Sequence, residues 1–584
     1  MKKNQEKLMK LTKSNLKRIL NSKEFKKWLI QKRWFADKSR LSHCEFTISF
    51  KYYKHLSENI SICIIMIRDK EYIQEYFMPL ISSQNLENLI ILNYKSDQKI
   101  SEVTNQHIFN TQLINGKELE IKDAPFLIEG EYTHKFWDLL LNLDWNKDKF
   151  TKFGLNFLNY SEKKNKKVIS SNLFLSQPKS EKNDKKVKIK NLGHGNTTNL
   201  LFQYIIFSNK ESKTDQAYLF KCYKKYEKNI EPEILRVLKN NNFAGSPDLY
   251  GEFQLEDTPL ICILEYIKNE GNIGSIFWSE INKLTIDLVE KDEFKKNQKE
   301  NHFLKESIYN YCHESIKIAK EIGYKIKAMH NALIVKKREH FEQKKIVKEK
   351  FLKSYSKVLT ELINNILQIL NEDRALTYKF LEISQIQELL KQCKDRIVQF
   401  SQKQSKKIIK IQRIHQDLHM EQVLYNKIKK EKRNKENGIY EYYFLDFEGD
   451  PQFSLEQKQE KYPVERDMAT FIRSLSYIKY NTLKDRINQI FNRSQLKNKG
   501  NTLLGQIIFT RENVKEKEKI EIMKSALNTW ERELRELIVK NYEMDQDLLR
   551  FFLIERMLRE INYECKYRPE NILIPMIGLK EIIN

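Results

Sequence analysis

The chain lacks any run approaching the ~18–20 apolar residues of a membrane span, and its basic opening, Met1–Lys7, is not followed by a continuous apolar segment. Its seven cysteines, at 44, 63, 222, 262, 312, 393 and 565, form no Cys-x-x-Cys pair. That spacing argues against structural zinc and against a disulfide framework. There is no RNP-type sequence, zinc-finger spacing or basic heptad zipper, no internal repeat, and no G-x-x-x-x-G-K-[ST], so a Walker-type phosphate loop is excluded. These absences predict a cytoplasmic protein in a reducing setting, with no membrane and no nucleic-acid partner.

What is present is length and charge. A chain of 584 residues exceeds one ordinary core, so two or three domains are expected. The net charge of +25 is spread over the whole chain, and reads as a Lys-rich solvated surface rather than a dedicated polyanion site.

Residues 1–40 begin with an amphipathic helix (Leu8, Leu11, Leu16, Ile19, Leu20) and continue into an aromatic cluster, Trp28, Trp34 and Phe35, expected to pack internally. Short apolar runs at 60–67, 72–80, 89–92 and 126–128 predict antiparallel strands, closed by a helix over 131–143. A Lys/Ser/Asn-rich stretch, 161–186, reads as a linker. Strands are then expected at 200–207, 218–223 and 259–267, with a helix from 230 to 238 between the last two. Beyond this the pattern turns helical: apolar residues from Phe351 to Leu370 recur at i, i+3, i+4, i+7, with a returning helix over 376–400. The chain after Arg466 is expected to be helical to about Glu564. The division predicted is 1–150, 151–268 and 269–584.

The chemistry concentrates in His415–Gln422 and in Tyr443–Asp450. Asp417, in the order His-x-Asp-x-x-x-x-Gln, is a candidate base or hydroxyl-orienting group. Gln422 offers a hard, neutral oxygen suited to Mg²⁺. Asp446, 29 residues after Asp417 at the end of an apolar run, is a second metal ligand. Glu448, two residues on in the same strand-like run, shares its face and is a further candidate metal ligand or a structural acceptor. Together these are the parts of a kinase phosphoryl-transfer site, which works by positioning groups and neutralising charge. His415 reads as a hydrogen bonder that orients the catalytic loop, and His419 as another or as a lining of the acceptor pocket. Lys221, in a strand, could reach the phosphates of ATP, with Glu233 at the start of the next helix to hold it. Asn196, Thr197 and Thr198 would form a phosphate-covering hairpin.

With these residues assembled, the chain resembles bacterial maltokinases. The likeness is carried in order by Gln31–Arg40, Asn196–Thr198, Phe220–Lys224 with Glu231–Ile234, Ile322–His330, the octet, Leu445–Pro451, Arg466–Leu475 and Tyr563–Pro575. The resemblance implies an α+β, bilobal protein-kinase-like fold of the aminoglycoside-phosphotransferase form, with a β-rich N-terminal cap and a large helical C-terminal lobe. It implies ATP and Mg²⁺ as cofactors, backbone groups near Glu265 and Ile267 on the adenine, and Tyr563, Glu564 and Arg568 facing a disaccharide. The activity implied is phosphorylation of maltose to maltose 1-phosphate by a monomer or dimer. A related sugar or amino-sugar kinase, such as a glucosamine kinase, and a low-activity kinase-fold binding protein are the alternatives. Four departures from the pattern stand out. Gln416 and Glu421 replace glycines in the octet, Asp37 and Ser39 replace glycines in the cap motif, Arg559 stands where a sugar-facing Tyr is expected, and 426–438 is an insertion.

Overall fold

The computed structural model describes residues 12–42, 44–57, 59–70, 72–83, 107–110, 126–142, 154–160, 187–192, 199–207, 216–290, 301–372, 383–402, 406–428, 439–490, 504–505 and 517–583. The fold mixes helix and sheet and divides into two units, 1–232 with 247–266, and 233–246 with 267–584. The expected strand at 89–92, the linker 161–186 and most of the insertion, 429–438, lie outside the described residues.

The first unit opens with two short helices, α1 (Lys13–Asn21) and α2 (Lys23–Ile30). Thr12 and Ser22 cap them, each side-chain oxygen accepting the backbone N–H three residues on at 3.2 Å, which satisfies a donor with no partner inside the helix. Leu16, Ile19 and Leu20 form the buried stripe of α1. After a single turn, α3 (Lys38–Leu41), come β1 (Thr47–His55), β2 (Ile60–Arg68), β3 (Ile73–Phe77), β4 (Leu80–Ser83), β5 (Ile108–Asn110) and β6 (Phe126–Glu129). They form an antiparallel sheet in the order β1-β2-β4-β6-β5, with β3 also on β2. Five of the nine residues of β2 are isoleucine and the strand is buried on both faces, as a central strand requires. The predicted run 72–80 is broken between β3 and β4, and the predicted helix over 131–143 is a 3₁₀ turn, Gly130–Tyr132, followed by α4 (His134–Asn142).

A second antiparallel sheet has the order β7-β11-β12-β10-β9-β8. Its strands are β7 (Leu155–Asn159), β8 (Val187–Asn191), β9 (Leu200–Ile206), β10 (Gln216–Cys222), β11 (Leu249–Leu255) and β12 (Thr258–Glu265), with α5 (Glu231–Asn240) between β10 and β11. β10 lies between β9 and β12, with Lys221 opposite Leu201 on one side and Cys262 on the other. Trp34 and Phe35 are buried in the core of this unit, as expected of the aromatic cluster. Trp137 packs on Phe202 and Phe220 of the second sheet, with ring centroids 5.4 and 4.9 Å apart.

The second unit is mainly helical: α6 (Ile273–Glu290), α7 (Asn301–Tyr311), α8 (His313–Ala332), α9 (Lys348–Glu372), α10 (Ile383–Gln402), α11 (Leu455–Gln459), α12 (Glu465–Ile490), α13 (Lys517–Val539), α14 (Gln546–Tyr567) and α15 (Leu573–Ile583). The stripe read from Phe351 to Leu370 is the buried face of α9, although Val358 is exposed. The expectation that the chain stays helical past the second sheet needs one correction. Two two-stranded sheets interrupt it, β13 (Lys344–Val347) with β14 (Ile408–Ile411), and β15 (Val423–Lys427) with β16 (Tyr440–Phe444). The partners in β13–β14 lie about sixty residues apart, beyond the reach of local pattern. Among the described residues no helix is long and apolar enough to cross a membrane.

Candidate active site

The β15–β16 hairpin assembles one half of the site. Val423 pairs with Phe444, and the Leu445 N–H donates to the Gln422 carbonyl at 2.9 Å, so Gln422 and Asp446 come together at the hairpin's open end. Gln422 Nε2 donates to Asp446 Oδ2 at 2.9 Å. A carboxylate oxygen of Glu448 lies within 4.8 Å of one from Asp446. The route to this proximity differs from that expected. β16 ends at Phe444 and Asp446 has φ +64°, a left-handed conformation that Asp tolerates, so a tight turn rather than strand alternation brings Glu448 back. The donor set fits Mg²⁺. It consists of hard oxygens, and octahedral bonds of ~2.1 Å place neighbouring donors ~3 Å apart, close to the Gln422–Asp446 spacing once the amide presents its oxygen.

The octet is held from behind by Asp467, in the first turn of α12 and fully buried. Its Oδ2 accepts the His415 N–H and its Oδ1 the Gln416 N–H, each at 2.7 Å. His330 of α8 lies 2.9 Å from the same Oδ2 through Nε2, and 3.0 Å from the Tyr542 hydroxyl through Nδ1. Burial works to raise the Asp467 pKa, but the His330 and His415 contacts outweigh it and the carboxyl is held below its ordinary value. Gln416 has φ +74°. A left-handed residue other than Gly, Asn or Asp costs ~1–2 kcal/mol. Its side chain turns inward, donating to the Lys458 carbonyl at 3.0 Å.

His415, expected beside Asp417 as the group that orients the catalytic loop, faces the protein interior. It is buried, with Nε2 2.8 Å from the Leu445 carbonyl, a contact that ties the octet to the Asp446 turn. Asp417 is half-buried, and its Oδ1 accepts from Arg556 Nη1 of α14 at 2.9 Å. Arg556 also reaches Glu560 at 3.3 Å, and Arg473 of α12 bonds the other oxygen of Glu560 at 2.9 and 3.0 Å. Burial would lower the Arg556 pKa, but Asp417 and Glu560 reverse this and keep the guanidinium charged. His419 is half-buried beside the short turn Met420–Gln422, and Glu421 is exposed.

Further along α14, Glu564 accepts both Arg568 Nη2 at 2.8 Å and Nε at 3.1 Å, and the guanidinium sits 5.0 Å from the Tyr563 ring. Burial raises the Glu564 pKa, against the pull of Arg568. The three predicted acceptor residues are therefore neighbours, with the two charges paired to each other. Arg559 turns to the interior, 2.6 Å from Glu555, which also accepts from Arg466 at 3.1 Å and from the Tyr355 hydroxyl at 2.7 Å.

In the first unit, Lys221 is buried on β10 and donates to Glu231 Oε2 at 2.6 Å, and the Tyr223 hydroxyl donates to the same oxygen at 2.6 Å. The carboxylate expected here was Glu233. It is two residues, about 200°, further round α5, and accepts from Arg338 at 2.6 Å instead. Glu265 ends β12, its N–H donating to the Asp248 carbonyl at 2.8 Å. In the second unit the Ile267 carbonyl accepts from Asn269 at 2.9 Å. Asn196, Thr197 and Thr198 lie outside the described residues. Sequence reasoning missed Arg556 and Glu231, and gave no role to Asp467 or His330. The visible signals were the Arg556–Glu560 spacing of four and the placing of Glu231 at the predicted helix start.

No protein-family model and no curated protein matches the chain. Solved structures to which it is similar include a glucosamine kinase in complex with glucosamine, ADP and inorganic phosphate, at 10% identity and TM-score 0.46, covering 97% of this chain and 99% of that one. A glucosamine kinase in another crystal form has 11% identity and TM-score 0.44, covering 93% and 97%. Plasmodium vivax ethanolamine kinase has 13% identity and TM-score 0.30, covering 72% and 84%. At these scores the likeness carries no argument.

Proposed function

We propose that the chain is an ATP-dependent kinase that phosphorylates a hydroxyl of a small sugar, with maltose as the acceptor. The observation that carries this is the pairing of Gln422 with Asp446 at 2.9 Å, five residues beyond Asp417, in a loop fixed by Asp467 through two backbone N–H groups. That is the set of groups phosphoryl transfer needs.

In this reading Lys221, oriented by Glu231, holds the α/β-phosphates in the first unit. In the second unit, Asp417 accepts a hydrogen bond from the attacking hydroxyl and takes its proton as the new P–O bond forms. Arg556 fixes the Asp417 carboxylate. Gln422, Asp446 and Glu448 would hold Mg²⁺, which when bound supplies charge neutralisation on the phosphates. Tyr563 offers an aromatic face to a sugar ring, and Glu564 and Arg568 offer hydrogen bonds to hydroxyls. An amino-sugar acceptor is the second reading. It is favoured by Arg559, whose guanidinium is committed to Glu555, so that no residue at this position faces a disaccharide.

The test is coupled ADP release with maltose, glucose, glucosamine and trehalose, repeated with Asp417→Asn. Turnover with maltose and a loss of ~10³-fold in the variant are expected. Near-full activity of the variant would end the assignment, and turnover of glucosamine alone would select the second reading.

A further inference from the structure

The cap motif Gln31–Arg40 plays no part in the chemistry above, yet it lines a buried ionic cluster. Lys32 Nζ lies 3.0 Å from Glu129, the Trp34 indole donates to Glu129 at 2.6 Å, and His107 contacts the same carboxylate at 3.0 Å. Two residues on, Glu131 bonds Lys224 Nζ at 2.6 Å, with both side chains fully buried. The Lys224 ammonium also lies 4.4 Å from the Trp34 ring. Among the described residues the other oxygen of Glu131 has no hydrogen-bond partner. Burial pushes the Glu131 carboxyl up against the pull of Lys224. At Glu129 burial is outweighed by Lys32 and His107, which hold it well below the usual range. A buried pair of this kind is weak evidence for stability alone, since apolar residues often do as well.

Its position gives it another use. Lys224 follows β10 directly and lies three residues, ~10 Å of extended chain, past Lys221. Lys221 and Tyr223 point one way, both onto Glu231, while Lys224 points the other way, into the cap. The backbone does the same. The Phe77 N–H donates to the Lys224 carbonyl at 2.7 Å, the Tyr226 N–H donates to the Glu75 carbonyl at 2.9 Å, and Lys225 bridges to Tyr76. One short segment, 221–226, thus belongs to both sheets.

We propose that Glu131 and Lys224 are positioning residues: the cap motif, through this pair, fixes the end of β10 and so the placement of Lys221 on Glu231. This rests on reading Lys221 as the nucleotide lysine. It assigns the Gln31–Arg40 motif to nucleotide binding at a distance, with no contact to the nucleotide itself.

Two variants of the full chain test it. Glu131→Gln keeps shape but removes the carboxylate that pairs with Lys224 at 2.6 Å. Glu131→Gln combined with Lys224→Met removes both charges, and carries the test if the single variant does not fold. The measurements are thermal midpoint, MgADP affinity by calorimetry, and hydrogen exchange over 218–226. In the double variant the midpoint should return toward wild type, while exchange over 218–226 stays faster and MgADP affinity stays ~10-fold weaker. A double variant with wild-type exchange and affinity would overturn the proposal and leave the pair a packing feature. If the wild type bound no MgADP, the nucleotide reading would fall. Exchange over 218–226 would then decide the tether alone: faster in the double variant upholds it, unchanged removes it.

Discussion

Arg556 Nη1 lies 2.9 Å from Asp417 Oδ1, across 139 residues of sequence, and Arg473 and Arg556 share Glu560 behind it. The carboxylate proposed to take the hydroxyl proton is therefore aimed by α14, not by its own loop alone. Misplacing such a group by ~1 Å can cost ~10²-fold in rate, so Arg556→Ala is expected to lower kcat by about that factor. The double variant with Asp417→Asn should be little worse than Asp417→Asn alone, because the two act as a unit. Additive losses in steady-state kinetics would contradict this.

Gln416 should reveal the cost of its backbone. Gln416→Ala keeps a Cβ at φ +74° and loses the bond to the Lys458 carbonyl. Gln416→Gly loses the same bond but relieves the conformation. The glycine variant is expected to be more stable than the alanine variant by ~1 kcal/mol. Urea denaturation of the two measures it, and equal midpoints would remove the strain argument.

Acid should unfold the second unit through identifiable carboxylates. Asp467 is held below its ordinary pKa by His330 and His415 against burial. Asp545, the cap of α14, is held down to about 2 by Lys348 and Lys407, again against burial. A depressed folded-state value means stability that is complete above the unfolded value of ~4 and is lost as pH falls through the folded value. Melting temperatures should therefore be flat from about pH 7 to 5 and fall below about pH 4. Asp545→Asn should flatten that fall, and an unchanged acid limb in the variant would rule Asp545 out.

Metal dependence should follow Asp446. Loss even of an outer-shell partner costs ~10–100-fold in metal affinity, so Asp446→Asn should raise the Mg²⁺ needed for half-maximal activity at least ~10-fold, and excess chelator should abolish wild-type turnover. Manganese binding by calorimetry gives a readout independent of activity. Wild-type affinity in the variant would take Asp446 out of the metal site.

Much of this site was legible in the sequence because it is local. The octet, the apolar run before Asp446 and the spacing between them need only one hairpin to bring Gln422 to Asp446. The long stripe of α9 was legible for the same reason, as periodicity is a property of one element. The choice between Glu231 and Glu233 was not. Both stand at the start of one helix, and only the fold of the chain from β10 to Glu231 decides that Glu231 meets Lys221. Arg556 was invisible because nothing near Asp417 in sequence announces a partner on the penultimate helix.

The sequence by itself thus determined the kinds of chemical group available and which of them are neighbours within one loop or strand. Tertiary structure decided their partners: Arg556 for Asp417, Asp467 and His330 behind the octet, Glu231 for Lys221, and Glu131 for Lys224. The physical reason is the same in each case. A charge withdrawn from water is costly unless paired, but which residue supplies the pairing group depends on packing between separate elements.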